Sequence, residues 1–328
     1  MRLRRFFSTV RILQHENPLG LPKSGTPPTF KSRRGLPQKR RIRDVQKVVA
    51  VSSAKGGVGK STIAVNLALA LARRGIRTGI LDTDIFGPSI PTLLNLHGEP
   101  RLDSNNCLIP LTNYGLKSMS MGYLLPQASS SPPSDTELTT SSPPPMDTTP
   151  ISWRGLMVTK AMQQLLHSVS WGPLDILILD LPPGTGDVQL TIGQEIILDG
   201  AVIVSTPQDI ALRDAVRGFG MFQKMDVPVL GMVQNMAFFA CPNCGHETKI
   251  FSHSHSHVHD AEGGVVAQCQ RLGIEFLGDI PLDARVCEDA DRGMPTVVAE
   301  EGDQNSVRRQ AFISIAEKVA KGVGIEWA

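Results

Sequence analysis

Residues Ser53-Ala54-Lys55-Gly56-Gly57-Val58-Gly59-Lys60-Ser61-Thr62 have the side chains and spacing that hold a polyphosphate. The three glycines lack Cβ atoms, so consecutive backbone N–H groups can close around phosphate oxygens. Lys60 can reach the terminal phosphates, and the Ser61 hydroxyl suits a Mg²⁺ shell. An apolar run at 47–52 precedes the loop, and an Ala- and Leu-rich segment from Ile63 follows it. In this strand–loop–helix setting the helix directs its positive end at the same spot. The bland alternative is a glycine turn with no ligand; loop, flanks and hydroxyl together argue against it.

Two acidic positions match that chemistry. Asp82-Thr83-Asp84 and Asp180 each follow an apolar run, and Asp180 leads into Leu181-Pro-Pro-Gly184-Thr-Gly186-Asp187. An acid at a buried strand end can hold Mg²⁺ directly or through water, and Asp180 is assigned that side of the metal. The Gly184 N–H can sense a γ-phosphate, which makes its loop a switch. The structural alternative is that these acids cap helices or pair with lysines.

Cys241-Pro-Asn-Cys244 carries a second chemistry. A CxxC pair brings two thiolates to one metal centre, whereas a closed cluster or zinc site takes four ligands. A two-fold dimer would bring two such pairs together and complete Cys₄ with no other residue. A shared 4Fe–4S cluster is the favoured reading, with zinc as the alternative. His253, His255, His257 and His259 alternate, so in an extended segment they share a face. With His246 they could bind a metal or complete a Cys₂His₂ zinc site, although a solvated low-complexity loop explains them more simply. Cys269 and Cys287 are expected as small buried residues, and Cys107 carries no signal.

The elements that must position these groups alternate. Strands are expected at 47–52, 77–82, 174–180, 201–205, 228–234 and 275–280, and helices at 63–74, 153–168, 209–225 and 305–321. Such alternation predicts an α/β fold: a doubly wound, mostly parallel sheet, with ligands at the carboxyl ends of the strands. Residues 127–150 are nearly all Ser, Thr and Pro and are expected as a flexible surface insertion.

The charge distribution is uneven. Residues 1–43 hold 12 Lys or Arg and one acid, leaving 21 bases and 30 acids in the rest of the 328 residues. Residues 1–13 combine four arginines with large apolar side chains and no acid, as a mitochondrial presequence does. The organisation expected from the charge and the motifs together is a presequence and basic linker at 1–43 and a P-loop domain at 44–328, with a metal-binding loop at 241–259. No apolar run approaches the ~20 residues of a membrane span, and nucleic acid is not an expected partner.

The motifs quoted above, together with Trp153-Arg-Gly155, Ser205-Thr-Pro-Gln-Asp209 and Gln234-Asn-Met236, occur in the order of the Mrp/Nbp family of MinD-type P-loop ATPases, which the chain resembles from about Leu36 onward. The loop resembles that family's deviant Walker A, with Ala54 where the common pattern opens with Gly. The resemblance implies that Lys55 crosses a homodimer interface to the partner's nucleotide, and that Asp84 orients the attacking water. Asn235, Pro281 and Asp283 match places that hold adenine. Also implied are ATP binding with slow hydrolysis, a labile cluster passed to complex I subunits, and a place in the mitochondrial matrix. A MinD-like positioning ATPase is the competing reading. Its support is the 305–321 helix, whose Phe312, Ile315, Val319 and Val323 share a face that could lie weakly on the inner membrane; that reading gives the two cysteines no purpose.

Overall fold

The computed structural model describes residues 39–85, 87–124, 155–241, 243–251 and 264–327. The arginine-rich start, the 127–150 insertion, Trp153 and the four alternating histidines lie outside them. In chain order the elements are β1 (Val45–Ser52), α1 (Lys60–Arg73), β2 (Thr78–Asp82), α2 (Ile90–Leu93), β3 (Leu111–Asn113), β4 (Leu116–Ser120), α3 (Gly155–His167), β5 (Leu174–Asp180), α4 (Asp187–Glu195), β6 (Gly200–Ser205), α5 (Asp209–Lys224), β7 (Val229–Gln234), β8 (Phe239–Ala240), β9 (Glu247–Thr248), α6 (Val265–Leu272), β10 (Glu275–Asp279), α7 (Ala284–Asp291), α8 (Thr296–Ala299) and α9 (Val307–Gly322).

Eight strands form one sheet in the order β10-β7-β6-β1-β5-β2-β4-β3. Every neighbouring pair is parallel except β3 with β4. This is the expected fold class. Its strands are short and apolar because both faces are covered. Along β1, Val49 and Val51 face α1 and α9, while Val48 and Ala50 face the opposite layer, which includes α3 and α5. The period-two alternation thus divides one strand between two cores.

Several elements, among them α4 and α7, were not in the sequence expectation, and two differences bear on the site. Helix α1 begins at Lys60, three residues earlier than expected. Lys60, Ser61 and Thr62 are polar, so apolar periodicity does not mark the first turn they form. Strand β4 extends the sheet beside β2, with Ser120 in register with Asp82. Its sequence, Leu-Lys-Ser-Met-Ser, is too polar to announce a strand.

The face of α9 that the competing reading lays on a membrane is core. Phe312, Ile315 and Val319 are almost fully buried, and Val323 nearly so, packed with α1 residues such as Leu67 and Leu71. Among the described residues no helix is long and apolar enough to cross a membrane. Cys269 is buried as expected, but Cys287 is exposed. The better-buried side of α7 carries Val286 and Ala290, four residues apart, and Cys287 lies about 100° round from Val286.

Candidate functional site

The carboxyl ends of β1, β5 and β2 stand side by side. Val51 is in register with Asp180, and Asp180 with Asp82. The phosphate loop leaves β1 at this edge. Gly57 and Gly59 have φ of +79° and +81°, left-handed values that L side chains rarely adopt. A Cβ on Gly56, Gly57 or Gly184 would meet nothing within 4 Å, so the backbone there faces open space. Lys60 caps this cradle from below. Its ammonium is paired with the Asp180 carboxylate and lies 3.1 Å from the Ser61 Oγ.

Burial is the main influence on Asp180 and raises its pKa, while Lys60 opposes the rise. Asp180 Oδ2 is buried without a hydrogen-bond partner among the described residues. An orphaned carboxylate oxygen close to a hydroxyl and an open loop of amides is the donor set that Mg²⁺ and a nucleotide phosphate require. Asp180 and Ser61 would hold the metal, whose bound charge would neutralise the phosphates.

Asp82 and Asp84 have different surroundings. Asp82 is fully buried and accepts from the backbone N–H of Asp84 at 3.0 Å, from that of Ile90 at 3.3 Å and from the Ser120 hydroxyl at 3.0 Å. It thereby ties down the loop that follows β2. Burial, then the neighbouring Asp180 charge, pushes its pKa up to about 7. Asp84 is only partly buried, and its charge is felt at Asp180. Lys55 is exposed, as a residue reaching outward must be, and its carbonyl accepts from the Ser53 hydroxyl at 2.9 Å.

The loop after β5 folds back on the phosphate loop. The Gly184 N–H donates to the Ser53 carbonyl at 2.9 Å. Gln189, buried on α4, donates from Nε2 to the carbonyls of Pro182 at 2.8 Å, Gly184 at 3.1 Å and Pro183 at 3.4 Å. Gln189 and Ser120 did not stand out in the sequence. Each is an ordinary polar residue whose role appears only when its partners come together.

Asn235 packs against the phosphate loop. Its Nδ2 donates to the Val58 carbonyl at 2.8 Å, and a Cβ on Gly59 would collide with that amide. Asp283 caps α7 by accepting from the Arg285 N–H at 2.9 Å, and it pairs with Arg308 at 2.5 Å. Both oxygens of Asp283 are engaged, so its side chain braces the 281–283 loop. That loop is laced to the segment before the cysteines: Ala237 N–H donates to Ile280 O at 3.0 Å and Leu282 N–H to Phe238 O at 2.8 Å.

The cysteines lie on the turn between β8 and β9, which pair antiparallel. The Cys241 N–H donates to His246 O at 3.0 Å, and Gly245 N–H donates to Cys241 O at 2.8 Å. The N–H of Cys244, then that of Asn243, holds the Cys241 thiol below its ordinary pKa. Amides aimed at sulfur favour the thiolate, the form that binds metal. Among the described residues no group of three or more Cys, His, Asp or Glu could hold a metal ion. Within those residues this chain offers two ligands.

Comparison with known proteins agrees with this geometry. Residues 44–320 match the family model described as ParA: NUBPL iron-transfer P-loop NTPase. The mouse iron–sulfur cluster transfer protein NUBPL is 47% identical over 290 residues, covering 88% of this chain and 81% of that one. An Arabidopsis thaliana protein, named as the iron–sulfur protein required for NADH dehydrogenase, mitochondrial, is 41% identical over 284 residues, 86% and 80% of the two chains. A nucleotide-binding protein from Archaeoglobus fulgidus, solved with ADP and with cobalt found in it, superposes with a TM-score of 0.61 at 34% identity, covering 77% of this chain and 89% of that one.

Proposed function

The chain belongs to the NUBPL iron-transfer P-loop NTPase family, and from that premise we propose that it is a nucleotide-dependent carrier of iron–sulfur clusters in the mitochondrion, serving recipients in complex I. One observation carries the reading. The segment that ends in the two thiols begins on the phosphate loop, at the Asn235–Val58 hydrogen bond. A thiol half-site and a nucleotide site are thus parts of one continuous structure.

The finer mechanism is a clamp. ATP and Mg²⁺ would occupy the loop, with Lys60 turning from Asp180 to the phosphates and Asp84 orienting the attacking water in a slow hydrolysis. Asn235, Pro281 and the backbone around Asp283 would border the adenine. A second copy of the chain would bring its own Lys55 to these phosphates, where a cation stabilises developing charge. The same two-fold axis would join two Cys241/Cys244 pairs around a 4Fe–4S cluster, which is the cargo. Because α9 uses its apolar face in the core, that helix lends no support to membrane association. The matrix is the compartment in which such a cargo would be handed on.

Anaerobic reconstitution with iron and sulfide tests the proposal. The expected result is a brown dimer with broad visible absorption and four iron atoms per two chains, lost when Cys241 and Cys244 are both replaced by serine. A colourless protein that takes up zinc and no iron would point to a structural metal instead.

A further inference from the structure

Gln189 has no place in the chemistry described so far, yet it is a buried polar side chain that holds the loop after β5. Its relative exposure is 2%. Three successive carbonyls, those of Pro182, Pro183 and Gly184, converge on its Nε2. Its Oε1 lies on the side of Gly186, where a Cβ would sit 3.7 Å away. Three carbonyl dipoles pointed at one spot repel one another unless a donor stands there. Gln189 is that donor, and it sits on the first turns of the helix that follows the loop.

The consequence is felt at the next amide. With the 182–184 carbonyls gathered on Gln189, the Gly184 N–H points the other way, to the Ser53 carbonyl where the phosphate loop begins. Gly184 has a φ of +100°, a conformation an L side chain would resist, and it has open space in front of its Cα. The amide therefore has two possible acceptors within a small movement: the Ser53 carbonyl, or an anionic oxygen arriving over the phosphate loop. A charged acceptor makes the stronger bond.

We propose that Gln189 is a positioning residue for triphosphate recognition: by holding the 182–184 carbonyls it keeps the Gly184 amide aimed where a third phosphate would arrive, and so sets the preference for ATP over ADP. This rests on the reading of the phosphate loop as an ATP site. Preorganisation is the physical content. Without the tether, a triphosphate would have to order the loop on arrival, and that cost falls on ATP alone, because ADP has no oxygen to offer there.

The test uses the full chain, with Gln189→Met to keep length and remove the donor, and Gln189→Asn to keep the donor and shorten its reach. Affinities for ADP and for a non-hydrolysable ATP analogue are measured by calorimetry with Mg²⁺ present. Each variant should weaken the analogue by about tenfold, the order of one lost hydrogen bond, and leave ADP within about twofold. A tether that merely stabilised the fold would lower the melting temperature and move both affinities together; that result, or unchanged affinities, would overturn the proposal. A wild-type protein that bound neither nucleotide would sink the ATP reading as well. One that preferred the analogue to ADP, and kept that preference in both variants, would sink the role of Gln189 alone. If Gln189→Met does not fold, Gln189→Asn decides.

Discussion

Asn235 Nδ2 stands 2.8 Å from the carbonyl of Val58. Val58 is in the phosphate loop, and Asn235 lies six residues before Cys241. Two backbone hydrogen bonds, Ala237 to Ile280 and Leu282 to Phe238, stiffen the segment between them. A nucleotide that reshapes the phosphate loop must either keep the Asn235–Val58 bond and move the thiol segment, or break it. We propose that this contact couples the two sites, a coupling that would be reciprocal.

Asn235→Ala should uncouple them. In the wild type, saturating Mg–ATP or Mg–ADP is expected to change the alkylation rate of Cys241 and Cys244 by about fivefold or more, the lower end of usual coupling energies. In the variant the rate should not respond to nucleotide. The Val58 carbonyl would also lose its partner, at a cost of about 1–3 kcal/mol if it stays dry. Mass-spectrometric alkylation timing, with melting temperature as the control, separates lost coupling from lost stability.

Asp82 gives the protein a pH dependence of defined sign. Its folded pKa, about 7, is above the ordinary carboxylate value because the group is buried beside Asp180. The folded state therefore holds a proton that the unfolded state releases at about pH 4. Stability from this group is fully present below about pH 4, declines as pH rises, and levels off above about 7, with a slope of at most about 1.4 kcal/mol per unit. Denaturant titrations of the nucleotide-free protein between pH 5 and 8 should show this decline, and Asp82→Asn should flatten it. A wild-type stability that climbs across that interval would contradict the assignment.

The parallel sheet and its active edge were legible in the sequence for one reason. Strands buried on both faces are continuous apolar runs, and a polar residue ends each abruptly, as at Ser52, Asp82, Asp180 and Ser205. Strand β4 was not legible, because Lys117 and two serines break its pattern; Ser120 is polar because it serves Asp82. The residues proposed to ligate were readable from spacing, since Lys60, Ser61, Cys241 and Cys244 are local in the chain. The residues that position were not. Gln189 acts across a turn and Asn235 across 177 residues of sequence, and only the folded chain brings them to their carbonyls. Asp283 shows the opposite limit: the motif located its loop, while its carboxylate is occupied by the α7 cap and Arg308.

Cys241 should be the more reactive thiol. The amides of Cys244 and Asn243 stabilise its thiolate, while Cys287, more exposed than the half-buried Cys241, serves as an internal reference. At neutral pH with no metal, iodoacetamide should label Cys241 faster than Cys287, because amides aimed at the Cys241 sulfur favour its thiolate. Labelling of Cys287 first would mean that the turn does not hold its amides on sulfur in solution.

Lys60 and Asp180 make a buried ion pair, and nucleotide must compete for it. Removing the lysine alone leaves a dry, uncompensated carboxylate, so Lys60→Ala should destabilise the nucleotide-free chain by about 3–5 kcal/mol unless Asp180 takes up a proton. Burial already raises the Asp180 pKa, and without Lys60 it should rise further. The deficit should then shrink as pH falls and the Asp180 carboxylate takes up a proton. Lys60→Ala with Asp180→Asn removes the charge as well and should recover much of the stability while still failing to bind nucleotide. The thiol turn does not include Lys60, so both variants should still load a cluster in vitro, and transfer to an acceptor apoprotein should be impaired. Transfer at the wild-type rate by Lys60→Ala would break the proposed link between phosphate chemistry and cargo release.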